Sequence, residues 1–354
     1  MRSVITGTGS YIPNVVKKNS DFLNHEFLNE DGTPFDQENE VIIEKFKSIT
    51  GIEERRYAEA EMNSSDLGSF ASERAIKDAG IDKEDLDYII VAHNFGDVKT
   101  GSIQSDMLPS LASRVKYKLG IKNPNCVAFD LLFGCPGWVQ GVIQAEALIK
   151  SGIAKKCLII GSETLSRVVD PYDRDSMIFA DGAGASVIEA VEDDENSGIL
   201  SHATRTDVID ECFYLHYGKS FNKESDQNIN YIKMLGRKIY EYGLSNVPMA
   251  MKTSLDKCGI DISEVKKIFI HQANEKMDEQ IIKRFYRLYK TKVPVGVMPM
   301  NIHRLGNSSV ATIPILLDQV RQGQMEGHVV NPGDVILFAS VGAGMNINAI
   351  VYRY

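Results

Sequence analysis

The hydrophobic positions of the chain alternate between amphipathic helices and short strands that are apolar throughout. In residues 72–92, a helix with one apolar face leads through Gly-Ile-Asp into the apolar run IIVA. Residues 252–271 repeat this order and end in IFIH. Strands that are apolar on both faces are typical of a sheet covered on both sides. The pattern therefore predicts an α/β fold with buried sheets.

These two segments are the first of three pairs that match in the same order along the chain. A constant offset puts His271 where the other copy has Ala92. In the second pair, a short turn leads into an apolar-faced helix that stops at a glycine, a common helix end. Cys135 and Asn307 hold corresponding places at the starts of these two helices. The third pair consists of the strand-rich stretches 157–192 and 335–354.

Three matches in one order predict a duplicated, thus two-part, architecture. We expect an N-terminal half, residues 1–190, that carries Cys135, and a C-terminal half, residues 191–354, that carries His271 and Asn307. Two similar halves pack naturally about a pseudo-twofold axis, with buried helices between mixed sheets. Groups at equivalent helix ends then converge on one pocket between the halves.

Charge and cysteine content narrow the class of protein. The chain has 39 Lys and Arg against 48 Asp and Glu, which argues against a nucleic-acid binder that neutralises phosphates over a broad surface. Five cysteines without CxxC pairs fit neither a disulfide framework nor a zinc site. The N-terminus lacks a signal-peptide pattern, and residues 335–352 predict two strands around a glycine turn rather than a membrane span. We therefore expect a cytoplasmic protein without nucleic-acid or membrane partners.

Cys135 is distinguished from the other cysteines by its position. The apolar run before it, residues 127–132, predicts a strand, and Pro136 suits the first turn of a helix, where no hydrogen bond is lost. The dipole at a helix N-terminus favours the thiolate, which is the nucleophilic form of cysteine. By position alone, a nucleophile and a small buried side chain remain equally good interpretations. The other four cysteines are interpreted as buried.

His271 and Asn307 are the other two candidates for chemistry. His271 follows the predicted strand 268–270, and residues at such strand ends point into a cleft more often than into solvent. For a single histidine, a structural role is nevertheless the more common one. Asn307, in GNSS before a helix, is by propensity an N-cap. No two histidines have a metal-ligand spacing such as HExxH, so we expect no metal.

Two short glycine loops, residues 181–184 and 342–344, lack the GxGxxG spacing of a dinucleotide site. They are either tight turns between strands or places where backbone N–H groups approach a substrate oxygen. The residues themselves leave both interpretations open.

Cys, His and Asn in this order, in two copies of an α/β half, resemble the thiolase-like condensing enzymes, and most closely 3-oxoacyl-acyl-carrier-protein synthase III. The resemblance covers nearly the whole chain. Its motifs are TGTGSYIP at the start, TGIEERRYA from Thr50, AFDLLFGCPG around Cys135, DPYDRDSMIFADGAGA from Asp170, HQAN at His271, LGNSSVATIP from Leu305 and SVGAGM near the C-terminus. HQAN and GNSSxAxIP downstream of the cysteine are specific in combination, whereas each alone is weak.

The resemblance implies a ketosynthase that starts fatty-acid chains. Cys135 takes an acyl group from acyl-CoA, and His271 and Asn307 hydrogen-bond the thioester carbonyl of malonyl-acyl carrier protein while CO2 leaves. The backbone N–H groups of Cys135 and Ala343 hold the oxyanion that forms when the enolate attacks the acyl group. The resemblance also implies a homodimer through paired edge strands. CoA and phosphopantetheine thioesters are the substrates, and no metal or redox cofactor is needed.

The helix expected after HQAN has a basic face that fits an acidic carrier protein. Its spacing puts four basic residues on one side with Arg284 beside them: Lys276, Lys283, Arg287 and Lys290. An apolar stripe on the opposite side is expected to face the core: Met277, Ile281, Phe285 and Leu288. A solvated charged face is the common alternative, but a basic stripe next to His271 in a chain of net charge -9 favours carrier docking.

Several departures from the family pattern bear on the substrate. Lys45 and Ile49 stand where relatives often have a Trp and an Arg that contact CoA, so recognition of its adenine is expected to differ. The nucleophile is usually flanked by small residues, and the bulky Phe133 and Trp138 are therefore expected to reshape the acyl pocket. Residues 96–107 form a longer loop than usual. An acetyl starter is plausible, and a longer or branched one stays open.

The residues and the resemblance leave three functions to be compared. The first is the condensing enzyme, in fatty-acid synthesis or in a specialised-metabolite pathway with another starter. The second is acyl transfer to an amine or hydroxyl by the same fold, which intact HQAN and GNSS disfavour because plain transfer forms no enolate. The third is a non-catalytic carrier-binding subunit, which the joint presence of Cys135, His271 and Asn307 disfavours.

Overall fold

The computed structural model describes residues 1–192 and 197–354 of the chain. In chain order, the strands are β1 (Arg2–Tyr11), β2 (Val15–Lys18), β3 (Glu54–Tyr57), β4 (Tyr88–His93), β5 (Asp97–Val98), β6 (Ser105–Asp106), β7 (Val127–Leu132), β8 (Lys156–Thr164), β9 (Asp181–Val191), β10 (Gly198–Thr206), β11 (Leu215–Lys219), β12 (Asn230–Met234), β13 (Val265–Ile270), β14 (Val335–Gly342) and β15 (Asn346–Arg353). The helices are α1 (Asn39–Thr50), α2 (Ser64–Ala79), α3 (Leu111–Lys118), α4 (Gly137–Lys150), α5 (Gly236–Cys258), α6 (Glu275–Leu288), α7 (Ile302–Leu305) and α8 (Thr312–Arg321).

The first sheet has five strands in the order β1-β9-β8-β4-β7, all from residues 2–191. β4 is parallel to both β8 and β7, whereas β9 is antiparallel to β8 and to β1. β7 forms one edge, and its terminal residues Val127 and Leu132 are 46% and 62% exposed. This edge strand leads directly to Cys135.

The second sheet has four strands in the order β10-β15-β14-β13, all from residues 198–353. β13 is parallel to β14, and β15 is antiparallel to β14 and to β10. Order and directions therefore match β1-β9-β8-β4 of the first sheet, in agreement with the repeat in the sequence. No described strand corresponds to β7. One backbone hydrogen bond, from Ile268 N–H to the Val297 carbonyl (2.7 Å), lies beside β13 instead.

The helices and the two sheets form five layers, and three of the apolar cores lie between these layers. α4 and α8 lie between the sheets, and their side chains share the central core with residues of both sheets. α2 and α3 cover the outer face of the first sheet, and α5 and α6 cover that of the second. Neighbouring residues of one strand enter different cores: Ile89 of β4 packs outward and Ile90 packs centrally. Because both faces of each sheet are covered, the predicted strand segments 89–92 and 268–270 are apolar throughout.

The two glycine loops have different structures. Residues 181–184 are not a turn, since they begin β9, and there glycine allows close packing of α8. A Cβ at Gly184 would lie 2.7 Å from the backbone N of Ile315. Residues 342–344 do turn, from the end of β14 towards β15, as the sequence pattern predicted. Within the described residues, no helix has the length and apolar character needed to cross a membrane.

Candidate active site

A cavity of about 640 Å³ is lined by residues of both halves and has Cys135, His271, Asn307 and Ala343 in its wall. This volume lies within the range of about 300–1,000 Å³ that is typical of small-molecule sites. The structure thus brings together the three side chains and the backbone group that the sequence singled out. They come from four separate segments of the chain.

Cys135 lies in the turn between β7 and α4, immediately before Pro136, the N-cap residue of α4. The cysteine is partly exposed to the cavity, and Ser309 Oγ donates a hydrogen bond to its Sγ (3.3 Å). Burial raises the pKa of Cys135 to about 11, an effect that the hydrogen bond from Ser309 opposes and the nearby Glu163 carboxylate reinforces. The position before a helix agrees with the prediction, but burial outweighs the effect of the helix N-terminus, so the side chain is a thiol at neutral pH.

His271 directly follows β13 and is 3% exposed. Burial lowers the pKa of His271 to about 4, so the imidazole is neutral at pH 7 and carries a single ring N–H. Its Nδ1 lies 2.8 Å from Thr312 Oγ1. When the Thr312 hydroxyl donates to Nδ1, the ring proton is on Nε2, and the imidazole offers a neutral N–H donor.

Asn307 is fixed through its backbone and its side chain. Its N–H donates to the Ile178 carbonyl and its own carbonyl accepts from the Ala180 N–H, both at 2.9 Å. Its Oδ1 accepts from the Ser309 N–H (2.8 Å), which leaves the Nδ2 amide as a donor. The preceding Gly306 has a φ of 66°, and a Cβ there would lie 3.1 Å from that of Ala180, so glycine is required.

Residues 307–312 therefore connect the candidates from the two halves. Ser309 contacts the sulfur of Cys135, and Thr312, three residues later, contacts the ring of His271. The Thr312 hydroxyl also lies 3.0 Å from the Ser309 carbonyl, which is the alternative acceptor for its single proton. One short segment before α8 thus sets the relative positions of a thiol, an imidazole and an amide.

The backbone of Ala343 lies against that of Cys135. A Cβ at Gly342 would lie 2.7 Å from the backbone N of Cys135, and a Cβ at Gly134 would lie 2.9 Å from that of Ala343. Glycine at both positions therefore lets the two chain segments approach closely. An oxyanion hole needs two backbone N–H groups directed at one oxygen, and both residues of the predicted pair, Cys135 and Ala343, line the cavity.

Lys45 and Ile49, both on α1, line another part of the cavity. Arg174 also lines it, with its guanidinium carbon 5.4 Å from the centre of the Phe35 ring. Together with Arg237, these residues give the lining three basic side chains. Within residues 1–192 and 197–354, no group of three His, Cys, Asp or Glu side chains is placed to hold a metal ion.

The structure corrects the acyl-pocket expectation. Trp138 is fully buried in the central core, edge-to-face with Phe338 at 5.5 Å between ring centres, because α4 directs it away from the cavity. Phe133 is half-buried and does not line the cavity either. The aromatic pair in the lining is Phe95 and Tyr217, whose rings stack 4.9 Å apart at 17°.

The expected basic helix is α6, which begins at Glu275 with Asn274 as its N-cap. All five predicted basic residues are exposed: Lys276, Lys283, Arg284, Arg287 and Lys290. Lys283 pairs with Glu279 (3.1 Å). Two details differ from the expectation, since Lys290 lies beyond the helix end and Leu288 is 40% exposed rather than facing the core.

Sequence reasoning missed four polar residues around the site. Ser309 and Thr312 belong to the LGNSSVATIP motif, where attention to each polar position would have found them. Asn94 lies just beyond the end of β4 and Glu163 near the end of β8, so both carry the strand-end signal that singled out His271. A polar residue at the end of an apolar strand is therefore the more general signal in this chain.

Comparisons with known proteins show the family to which the chain belongs. The sequence model of 3-Oxoacyl-[acyl-carrier-protein (ACP)] synthase III matches residues 129–208, and that of its C-terminal part matches residues 255–354. The chain is 31% identical to beta-ketoacyl-[acyl-carrier-protein] synthase III of Erythrobacter litoralis and 33% identical to beta-ketoacyl-[acyl-carrier-protein] synthase III 1 of Vibrio vulnificus strain YJ016. Both alignments cover 100% of each chain.

The fold comparison gives the same result. The crystal structure of 3-oxoacyl-[acyl-carrier-protein] synthase III from Aquifex aeolicus superposes with a TM-score of 0.79 at 30% identity. The match covers 99% of this chain and 100% of that one. The two matched α/β halves are thus the thiolase-like fold that the sequence predicted. The chain belongs to the 3-oxoacyl-[acyl-carrier-protein] synthase III family.

Proposed function

We propose that this chain starts acyl-chain synthesis by decarboxylative condensation. It joins an acyl group from acyl-CoA to a malonyl group on acyl carrier protein, releases CO2 and yields a 3-oxoacyl carrier protein. The full-length relatives are named for synthase activity of this kind, which supports the proposal. So does the segment 307–312, whose residues contact both Cys135 and His271.

The first step forms a thioester on Cys135. Its sulfur attacks the carbonyl carbon of acyl-CoA, and the backbone N–H groups of Cys135 and Ala343 stabilise the oxyanion. The bond from carbon to the CoA sulfur then breaks, and CoA leaves with the proton that the thiol gives up. Because burial raises the pKa of Cys135 to about 11, this step accelerates as the pH rises from neutral.

The second step forms the new carbon–carbon bond. Nε2 of His271 and Nδ2 of Asn307 donate hydrogen bonds to the malonyl thioester carbonyl. The bond to the carboxylate breaks, CO2 leaves, and the electron pair forms an enolate that the two neutral donors stabilise. The enolate carbon attacks the acyl carbonyl, and the Cys135 sulfur leaves as a thiolate that takes up a proton.

The surface around the cavity suits large anionic substrates. Lys45, Arg174 and Arg237 line the cavity and can bind the phosphates of CoA or of the carrier's phosphopantetheine. The exposed basic residues of α6, next to His271, fit the acidic surface of a carrier protein. These placements support a thioester that enters from the α6 side.

The lining of the cavity bears on the length of the starter group. The stacked Phe95 and Tyr217 line the cavity, and we propose that acyl chains longer than acetyl pack against them. A starter longer than acetyl is therefore the second candidate, because the cavity is large and mainly apolar. No metal or redox cofactor enters the proposed steps.

The proposed enzyme works as a homodimer in the cytoplasm. The exposed ends of edge strand β7, Val127 and Leu132, support pairing of this edge with its copy in a second chain. All five cysteines are free, which suits a reducing compartment.

The proposal is tested in two steps. The protein is incubated with acyl-CoAs of increasing length and Cys135 is examined by mass spectrometry, and malonyl-acyl carrier protein is then added. We expect acylation of Cys135 alone, then its loss with formation of 3-oxoacyl carrier protein and one CO2. An acyl-enzyme that transfers its group to an amine or hydroxyl without CO2 release would favour plain acyl transfer. An enzyme that takes no label would favour the carrier-binding subunit.

A further inference from the structure

Ser309 occupies an unusual backbone conformation directly beside the sulfur of Cys135. The residue is 3% exposed, and its φ of 52° lies in the left-handed region that serine rarely adopts. Surrounding contacts hold it there, since its N–H donates to Asn307 Oδ1 (2.8 Å). Its hydroxyl donates to Cys135 Sγ (3.3 Å). Strain that is retained at a reactive group indicates a functional constraint on the hydroxyl's position.

The orientation of this hydroxyl is fixed from behind by Asn94. The Asn94 Nδ2 group donates one hydrogen to Ser309 Oγ (3.0 Å) and the other to Glu163 Oε1. The Asn94 backbone N–H also donates to Glu163 Oε1 (2.8 Å). Because Ser309 Oγ already accepts from Asn94, its only proton remains for the sulfur. An amide cannot pass a proton along this chain, so the network orients groups and does not relay protons.

We infer that Ser309 is a further catalytic residue, whose hydroxyl stabilises the thiolate of Cys135, and that Asn94 and Glu163 are positioning residues that aim it. The inference rests on the proposed function only in taking Cys135 as the nucleophile. It adds a donor to the sulfur itself, separate from the groups assigned to the oxyanion and to the enolate. Such a hydrogen bond to an ionised group is stronger than one between neutral groups.

Glu163 has two opposite effects on the pKa of Cys135, which makes the inference testable. Its negative charge raises this pKa, whereas its positioning of Asn94 and Ser309 lowers it. Burial raises the pKa of Glu163 to about 8, below that of Cys135, so the carboxylate is already ionised when the thiol titrates. Glu163 is the titratable group that raises the pKa of the Cys135 thiol, and the neutral His271 lines the same cavity. Glu163 itself faces Asp181 and Tyr217.

The test is alkylation of Cys135 by iodoacetamide as a function of pH, followed by mass spectrometry of the Cys135 peptide. This readout needs no thioester or carrier protein, so it can fail independently of the proposed function. We expect Ser309→Ala and Ser309→Gly each to raise the midpoint for thiolate formation by about one pH unit and to slow alkylation at pH 8 about tenfold. Glu163→Gln, which keeps an acceptor for Asn94, should lower the midpoint by removing the like charge.

Two control variants distinguish loss of the Ser309 hydroxyl from damage to the fold. Ser308→Ala changes the neighbouring buried serine, which does not line the cavity, and should leave alkylation unchanged. Glycine accepts the left-handed backbone more easily than alanine, so Ser309→Gly should fold at least as well as the parent protein. Asn94→Ala should reproduce part of the Ser309 effect by freeing the hydroxyl.

Parent-like midpoints in both Ser309 variants would overturn the inference. A normal midpoint in Asn94→Ala alongside a raised one in the Ser309 variants would overturn the positioning role. A raised midpoint in Glu163→Gln would mean that the carboxylate's charge does not oppose the thiolate, and would also contradict the account.

Discussion

The two halves of the chain build four strands in the same order and direction, yet they contribute different chemistry to the cavity. In the first half, β4 ends in Ala92 and His93, and the nucleophile stands at the start of α4. In the second half, His271 follows the matching strand, and Asn307 precedes the matching helix. Equivalent positions of a duplicated fold thus supply a thiol on one side and two neutral donors on the other. In the proposed reaction, the first half supplies the nucleophile and the second half supplies the donors for the enolate.

Removal of the thiol should give the largest difference between the activity assigned to the first half and the one assigned to the second. We expect Cys135→Ala to lose condensation by at least about 10³-fold, because no acyl-enzyme can form. Malonyl decarboxylation should stay within about tenfold of the parent rate, because it depends on His271 and Asn307. Release of radiolabelled CO2 from malonyl-acyl carrier protein, measured beside product formation, checks both. Equal loss of the two activities would show that the halves do not act separately.

Substitution of Thr312 should have a smaller effect, which is limited to the chemistry assigned to the second half. Its hydroxyl must donate to Nδ1 of His271 for Nε2 to carry the proton, and Val has the same shape without the hydroxyl. We expect Thr312→Val to slow malonyl decarboxylation about tenfold and to leave the acylation rate of Cys135 unchanged. Thr312→Ser, which keeps the hydroxyl, is the matched control. Normal decarboxylation in Thr312→Val would remove Thr312 from the account.

The exposed basic residues of α6 belong to the second half. Reversal of their charge should therefore weaken binding of the carrier protein and leave the reaction with acyl-CoA unchanged. We expect Lys283→Glu with Arg287→Glu to raise the KM for malonyl-acyl carrier protein roughly five- to tenfold. Acylation by acyl-CoA should stay unchanged. Lys77→Glu, at an exposed position on α2 of the first half, is the control. Equal KM values in the double variant and the control would exclude α6 as the docking surface.

Two buried carboxylates, one in each half, differ in their partners. Asp97 in the first half is paired with Arg114 (2.9 Å), whereas both oxygens of the fully buried Asp278 on α6 lack partners among the described residues. Burial raises the pKa of Asp278 well above its ordinary value of 3.8, and the nearby Glu275 adds to this. The folded state therefore binds more protons than the unfolded state, and this residue lowers stability progressively as the pH rises above about 4.

Replacement of Asp278 should consequently stabilise the fold. We expect Asp278→Ala to raise the free energy of unfolding by about 1–3 kcal/mol at pH 8 and by less at pH 5. Urea denaturation at the two pH values measures the difference. Glu279→Ala, at the exposed neighbouring position, should change stability by less than about 0.5 kcal/mol. A destabilised Asp278→Ala would mean that the carboxyl has a partner.

Local patterns were enough to predict most of the fold. Apolar strands, helix ends and the repeat gave the two sheets and placed Cys135 before a helix and His271 after a strand. The same patterns could not show which way a side chain points. Trp138, three residues from the nucleophile, turns into the central core because the helix rotates it there. The lining by Phe95 and Tyr217 depends on contact between distant segments, which no local pattern reveals.

The sequence predicted the principal residues of the candidate site. It did not predict the polar residues that hydrogen-bond to them. Ser309, Asn94 and Glu163 form a network across three segments, and the sequence gives no register for such contacts. The balance of effects on the pKa of Cys135 was not visible in the sequence either. A helix N-terminus is visible in a sequence, but the burial that opposes it arises only from the packed structure.

A single-turnover measurement with Asn307→Ala tests the division between the halves most directly. Cys135 of the variant is first acylated with radiolabelled acyl-CoA, and malonyl-acyl carrier protein is then added. The account predicts normal acylation and a transfer of label to the carrier that is about 10²–10³-fold slower than in the parent protein. Transfer at the parent rate, or failure of Cys135 to acylate, would contradict it.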